Sequence, residues 1–240
     1  MTMICTNKEQ YSKLWMEETE LIEKLGIYEQ LSKLTPEGKV LEFGCGSGRG
    51  TRHLLSDHEV LSLDGNGHLI EEAKRYIAEM DRTANIHECD FFYLSQNDKN
   101  VISTFTPKVI VGWFIGSCGE DVVQHTKEQP SPREKGKLYR EKIEDIIVSP
   151  DVCLPSVEYI HLVSRGAVAA GLSDEFIFEE NKKDYEKFVF GNVGFEVISV
   201  KTIPWPRDGS KFQYSQAHNP NFVSGDPVSM ITSIIAKRVK

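Results

Sequence analysis

The sequence has no C-x-x-C pair, no H-E-x-x-H run and no other paired-histidine spacing, and so gives no sign of a zinc site; no metal is expected. Its five cysteines, Cys5, Cys45, Cys89, Cys118 and Cys153, are odd in number and widely spaced, which argues against a disulfide framework and fits a reducing, cytoplasmic setting. An excess of positive charge is also missing. The formal net charge is -8, which disfavours nucleic acid and anionic membrane surfaces as partners. Long apolar runs are absent as well: the longest, residues 109–115, falls far short of the roughly 20 residues of a membrane span. The opening MTMICTNKEQ has no basic segment followed by an apolar stretch, so no leader is expected. Neither repeats nor low-complexity tracts occur.

What is present is an ordinary globular balance, 40% hydrophobic and 27% charged over 240 residues, which predicts one domain, 1–240. Tyr11, Leu14, Trp15, Leu21, Ile22 and Leu25 recur at helical spacing over 8–25, and a short helix follows over 28–34, ending at Thr35-Pro36-Glu37-Gly38. Strands then alternate with helices. Strands are predicted at 40–43, 59–64 and 85–89, with an amphipathic helix through Leu69, Ile70, Ala73, Ile77 and Met80, a βαβαβ pattern. A fourth strand is expected over 109–114. Ser131-Pro132-Arg133-Glu134 reads as a capping box opening a helix to Ile147, and a strand at 157–163 and a helix at 181–190 come next. The last two strands, 195–203 and 228–239, have no helix between them and are predicted to pair as an antiparallel hairpin. Two long connections, 115–129 and 204–227, are candidates for function.

The stretch VLEFGCGSGRGT, 40–51, places four glycines in seven positions directly behind a strand. A dinucleotide fingerprint would need glycine at 49, where the chain has Arg49, and a phosphate loop would need a lysine that Gly48-Arg49-Gly50-Thr51 does not supply. What remains is Glu42-x-Gly44-x-Gly46-x-Gly48, a loop suited to a ligand without phosphates lying against bare backbone. With Asp64 closing the second strand, twenty residues past Gly44, and Asp90-Phe91-Phe92 closing the third, the chain resembles the class I S-adenosylmethionine-dependent methyltransferases over residues 8–115.

That resemblance implies an α/β, Rossmann-like fold: a seven-stranded, mostly parallel sheet with an antiparallel last strand, helices on both faces, and residues 1–36 as an N-terminal helical lid on a 37–240 core. It implies S-adenosyl-L-methionine as cofactor. Glu42 would face the methionine amino group, the backbone of Gly44, Cys45, Gly46 and Gly48 would pass beneath methionine and ribose, and Asp64 with Gly65 and Asn66 would take the ribose. Asp90 and Phe91 would hold the adenine, Trp113 would flank the transferred methyl, and Tyr11 and Trp15 would fold over the cofactor.

On the acceptor side the expectations are Trp113, Phe114, Arg165 and Tyr214, with His125, ahead of His161, as the catalytic base. An aromatic face suits a cationic or methylated amine, and an arginine can pair a carboxylate. Since the donor is already activated, the protein's task is alignment, and no acid-base constellation is required. The leading expectation is a cytoplasmic enzyme that methylates a nitrogen or oxygen of a small molecule. Trp113-x-Ile115-Gly116 followed by Asp121 also resembles a segment of the peptide amino-terminal methyltransferases, although Ser117 stands where they carry histidine. A cofactor-binding subunit without chemistry of its own, its long loops forming a partner interface, is the second class of reading, and aminopropyl transfer ranks last. The oligomeric state is not legible.

Overall fold

The computed structural model describes residues 7–212 and 226–239. Among them the chain runs α1 (Lys8–Lys24), α2 (Ile27–Leu34), β1 (Val40–Phe43), α3 (Arg49–Asp57), β2 (Val60–Asp64), α4 (Gly67–Ala78), β3 (Asn85–Glu88), α5 (Gln96–Phe105) and β4 (Val109–Trp113). It continues through α6 (Gly119–His125), α7 (Pro132–Ile147), β5 (Tyr159–Ala169), α8 (Asp174–Tyr185), β6 (Phe195–Pro204) and β7 (Pro227–Arg238). The strands form one sheet in the order β3-β2-β1-β4-β5-β7-β6. All neighbours pair in parallel except β7, which runs antiparallel to both β5 and β6. The expected hairpin is therefore present, with β7 inserted between β5 and β6.

β1, β2 and β4 are buried at every residue, as strands covered by helices on both faces must be. Val40, Val60, Val109 and Val111 pack with α1, α2 and α3 on one face, whereas Leu41, Leu61 and Ile110 pack with α5 and α7 on the other. The connections on either side of the sheet's centre leave β1 and β4 in opposite directions, and a crevice opens above their carboxyl ends. No helix among the described residues is long and apolar enough to cross a membrane.

Three local expectations need correction. The capping box at Ser131 does not form: Ser131 makes no side-chain cap, and its N–H, which Glu134 would serve, is taken by Gln129 Oε1 at 3.0 Å. The helix placed over 181–190 instead starts at Asp174, where the Ser173 side chain caps Phe176 N; α8 ends at Tyr185 and a π-helical turn, Glu186–Phe190, carries it to the expected stop at Gly191. The connection 115–129 is not an open loop, since it contains α6.

Candidate functional site

Successive strand ends deliver the site. After β1 the backbone turns through Gly44 at φ +82°, where an added Cβ would meet no protein atom within 4 Å, so the loop borders open space. At Gly46, φ +51°, a Cβ would instead come within 2.9 Å of Trp15 Nε1, so the loop and α1 approach as closely as glycine permits. Glu42 is almost fully buried beneath this loop. Thr51 Oγ1 and Ser62 Oγ both donate to its Oε2, at 2.7 and 2.6 Å. Burial outweighs these bonds and pushes its carboxyl up to about 7.

At the end of β2, Asp64 Oδ2 accepts from Gly46 N at 3.0 Å and Oδ1 from Asn66 N at 2.9 Å, so one carboxylate ties the first and second strand ends together. Burial raises its pKa against the lowering effect of those two N–H groups. Cys45 Sγ lies 3.6 Å from Asp64 Oδ2, and burial, followed by the Asp64 charge, pushes the thiol well up, which leaves it unreactive. After β3, Asp90 caps a short helical turn by accepting from Phe92 N at 2.9 Å, and Phe91 packs against Phe43.

These ends, α1 and the β4 end enclose one cavity of about 310 Å³. Glu42, Gly44, Cys45 and Gly46 line it from β1, Asp64, Gly65 and Asn66 from β2, and Asp90 and Phe91 from β3. Tyr11 and Trp15 close it from α1, and Trp113 and Phe114 from β4. Gly48 is not on the wall; it faces α4, where a Cβ would meet Ala73 Cα at 2.8 Å. Phe114 has φ +58°, a left-handed conformation costly for a bulky residue, and it turns the chain so that Ile115, Gly116 and Ser117 cross the cavity.

Two expected acceptor-side residues are placed otherwise. His125 is not on the cavity wall. α6 ends by packing its ring face to face on Phe92, with centroids 3.8 Å apart, which removes it from the position of a base acting on an acceptor. Arg165 also stands behind the wall, its Cζ 4.7 Å over the Trp15 ring and its guanidinium donating to Phe114 O at 3.3 Å, so it supports aromatic residues instead of facing a ligand. Tyr214 lies outside the described residues. His161 is a core residue: Trp113 Nε1 donates to its Nδ1 at 3.4 Å, Nε2 lies 2.8 Å from Ser233 Oγ, and burial lowers its pKa to about 3.

The sequence reading did not assign Lys8, Ser117, Asp121 and Tyr139, all of which line the cavity. Tyr139 Oη donates to Asp121 Oδ2 at 2.6 Å, a contact between α7 and α6. The helix α1 is held from outside by the segment after β6. Phe212 packs edge-on to Tyr11 and Trp15, at 5.9 and 5.2 Å between centroids, and Ser210 Oγ donates to Glu18 at 2.6 Å.

No family model matches the chain, and no curated protein matches it in sequence. Solved structures match it in chain trace. A TehB-like SAM-dependent methyltransferase from Corynebacterium glutamicum is 17% identical at a TM-score of 0.48, over 96% of this chain and 100% of its own. The N-methyltransferase NodS from Bradyrhizobium japonicum, solved with S-adenosyl-L-homocysteine, is 10% identical at 0.47 over 91% and 87%. A proposed RNA methyltransferase from Pyrococcus horikoshii is 11% identical at 0.45 over 91% and 85%. The strand order with antiparallel β7 is, on its own, that of the Rossmann-like methyltransferase fold.

Proposed function

We propose that the protein is an S-adenosyl-L-methionine-dependent methyltransferase that acts on a nitrogen or oxygen of a small-molecule acceptor. The observation that carries this reading is the convergence of Glu42, the Gly44–Gly46 backbone, Asp64 and Asp90-Phe91 on one cavity above the crevice of this sheet order. The donor set fits the cofactor. A buried carboxylate suits an ammonium group, a carboxylate fixed by two backbone N–H groups suits a ribose diol, and an aspartate beside an aromatic ring suits adenine. Open space beside Gly44 leaves room for the ligand against the backbone.

When bound, the cofactor supplies a methyl group on a positively charged sulfur. Glu42 orients the amino end, Asp64 holds the ribose and the loop together, and Trp113 and Phe114 form the wall against which the acceptor is aligned. Tyr11 and Trp15, on α1 as a lid, keep water out, and positioning of this kind can supply ~7–11 kcal/mol of barrier lowering. An acidic chain with net charge -8 favours a small acceptor over nucleic acid. Free thiols at Cys45, Cys89, Cys118 and Cys153 fit a cytoplasmic location.

Mass spectrometry of ligand retained through native purification tests the reading. Adenosylmethionine or adenosylhomocysteine is the expected companion; a nicotinamide or flavin nucleotide in its place would overturn the assignment.

A further inference from the structure

The cavity is lined by more negative than positive groups: Glu42, Asp64, Glu88, Asp90 and Asp121 against Lys8 and Arg49. Both cations are already engaged. Lys8 Nζ donates to Gly65 O at 2.6 Å, and Arg49 donates to Glu20 at 3.2 Å while its guanidinium stacks 4.6 Å over the Tyr76 ring. On the proposed function, on which this inference rests, Glu42, Asp64 and Asp90 belong to the cofactor, and Glu88 stands at the end of β3, on the same side. Asp121 is the carboxylate left on the side of the cavity that follows β4.

Asp121 is held from two directions. Tyr139 Oη donates to Oδ2 at 2.6 Å, and His125 Nε2 lies 3.4 Å from Oδ1. Burial, reinforced by the Asp121 charge, raises the Tyr139 pKa, so the phenol stays protonated and acts as a fixed donor. Tyr139 and Asp121 both line the cavity, and Asp121 with Lys8 also lines a shallow recess between the start of α1 and α6, so the carboxylate stands where the interior meets the outside.

We propose that Asp121, fixed by Tyr139 and His125, receives the nitrogen of the acceptor, and that the acceptor is therefore a primary or secondary amine. The amine arrives protonated and releases one proton to water. Its lone pair then forms the N–CH3 bond as the S–CH3 bonding pair returns to sulfur, leaving a methylammonium and a neutral thioether. Positive charge thus passes from sulfur to nitrogen, and a fixed carboxylate beside the nitrogen stabilises it as it develops. An alcohol or a carboxylate acceptor would gain no such charge partner here.

The test is calorimetric binding of a panel of primary amines from methylamine to tryptamine, with benzyl alcohol and benzoate as controls, to the full chain saturated with adenosylhomocysteine. Amines are expected to bind and the controls not. Asp121→Asn should weaken amine binding ~10-fold or more while adenosylhomocysteine affinity stays at the wild-type value, as expected for losing a charged hydrogen-bond partner. Tyr139→Phe should weaken it less, and a purely structural role would leave the amine-over-alcohol preference unchanged in both variants. Binding of no amine in the panel, equal amine binding by Asp121→Asn, or a preference for benzyl alcohol or benzoate would overturn the inference. Failure of adenosylhomocysteine itself to bind would instead overturn the cofactor reading, and the amine titration on the free protein would then decide this proposal alone.

Discussion

The Glu42 carboxyl, raised from 4.5 to about 7, binds its proton more tightly in the folded chain than in the unfolded one. Its contribution to stability is therefore fully present below about pH 4.5 and is lost as pH rises through about 7, a loss of about 3 kcal/mol. Glu42→Gln keeps an oxygen for Thr51 and Ser62 and should flatten that part of the stability profile, as measured by urea unfolding at a series of pH values; an unchanged profile would refute the placement of the buried charge. The same variant should lose the rise in cofactor affinity expected as wild-type Glu42 ionises. Asp64→Ala removes the acceptor of Gly46 N and Asn66 N together with the ribose partner. Adenosylhomocysteine affinity should fall by ~10- to 100-fold, read by calorimetry, while the circular dichroism spectrum is kept. Unchanged affinity would contradict its assignment to the ribose. Asp64, Glu42 and Asp90 were legible in the sequence because each closes a strand or follows one at fixed distance. Asp121 and Tyr139 carried no such local signal, since they meet only when α6 and α7 pack.

At the scale of elements, the seating of α1 over the cavity depends on its close approach to the glycine loop. Gly46→Ala would place a Cβ 2.9 Å from Trp15 Nε1 at a backbone angle that suits glycine, and should cost ~1–3 kcal/mol in thermal unfolding and expose α1 to limited proteolysis. Wild-type stability with an intact α1 would count against the lid packing. Ser95, whose side chain caps α5 in a reciprocal pair with Asp98, should contribute ~1 kcal/mol, so that Ser95→Ala lowers stability without touching the cavity or cofactor affinity. β4 was readable because a strand covered on both faces appears as a continuous apolar run, and β1 and β2 because their apolar residues are interrupted only by Glu42, Ser62 and the closing Asp64. α3 was implied by the βαβαβ order but not bounded, since it opens behind Gly48 with no side-chain cap and buries only Gly50, Thr51 and Leu54. α5 was missed despite its Ser95-x-x-Asp98 signature, and α6 was missed because it is short and begins at Cys118 without a side-chain cap. Missing α6 led directly to the misplacement of His125, which a helix end turns into the wall behind Phe92.

For the whole molecule, sheet order is what turns separate loops into a site. Because β1 lies between β2 and β4, the turns after β1, β2 and β4 open on the same crevice, and β3 brings Asp90 to its far side. The antiparallel β6–β7 pair lies at the other edge, and the segment after β6 returns across the molecule to clamp α1 through Phe212 and Ser210. The seven-stranded sheet with its antiparallel last strand was expected from the resemblance, and its hairpin from the missing helix. That return of the chain onto the lid involves contacts separated by 192 residues, which no local pattern encodes. The central claim is that these converging ends hold adenosylmethionine. Its most direct test is isothermal titration of the purified protein with adenosylmethionine and adenosylhomocysteine. The account predicts saturable one-to-one binding of both, weakened in Asp64→Ala. Absence of heat and of thermal stabilisation with either compound would contradict it.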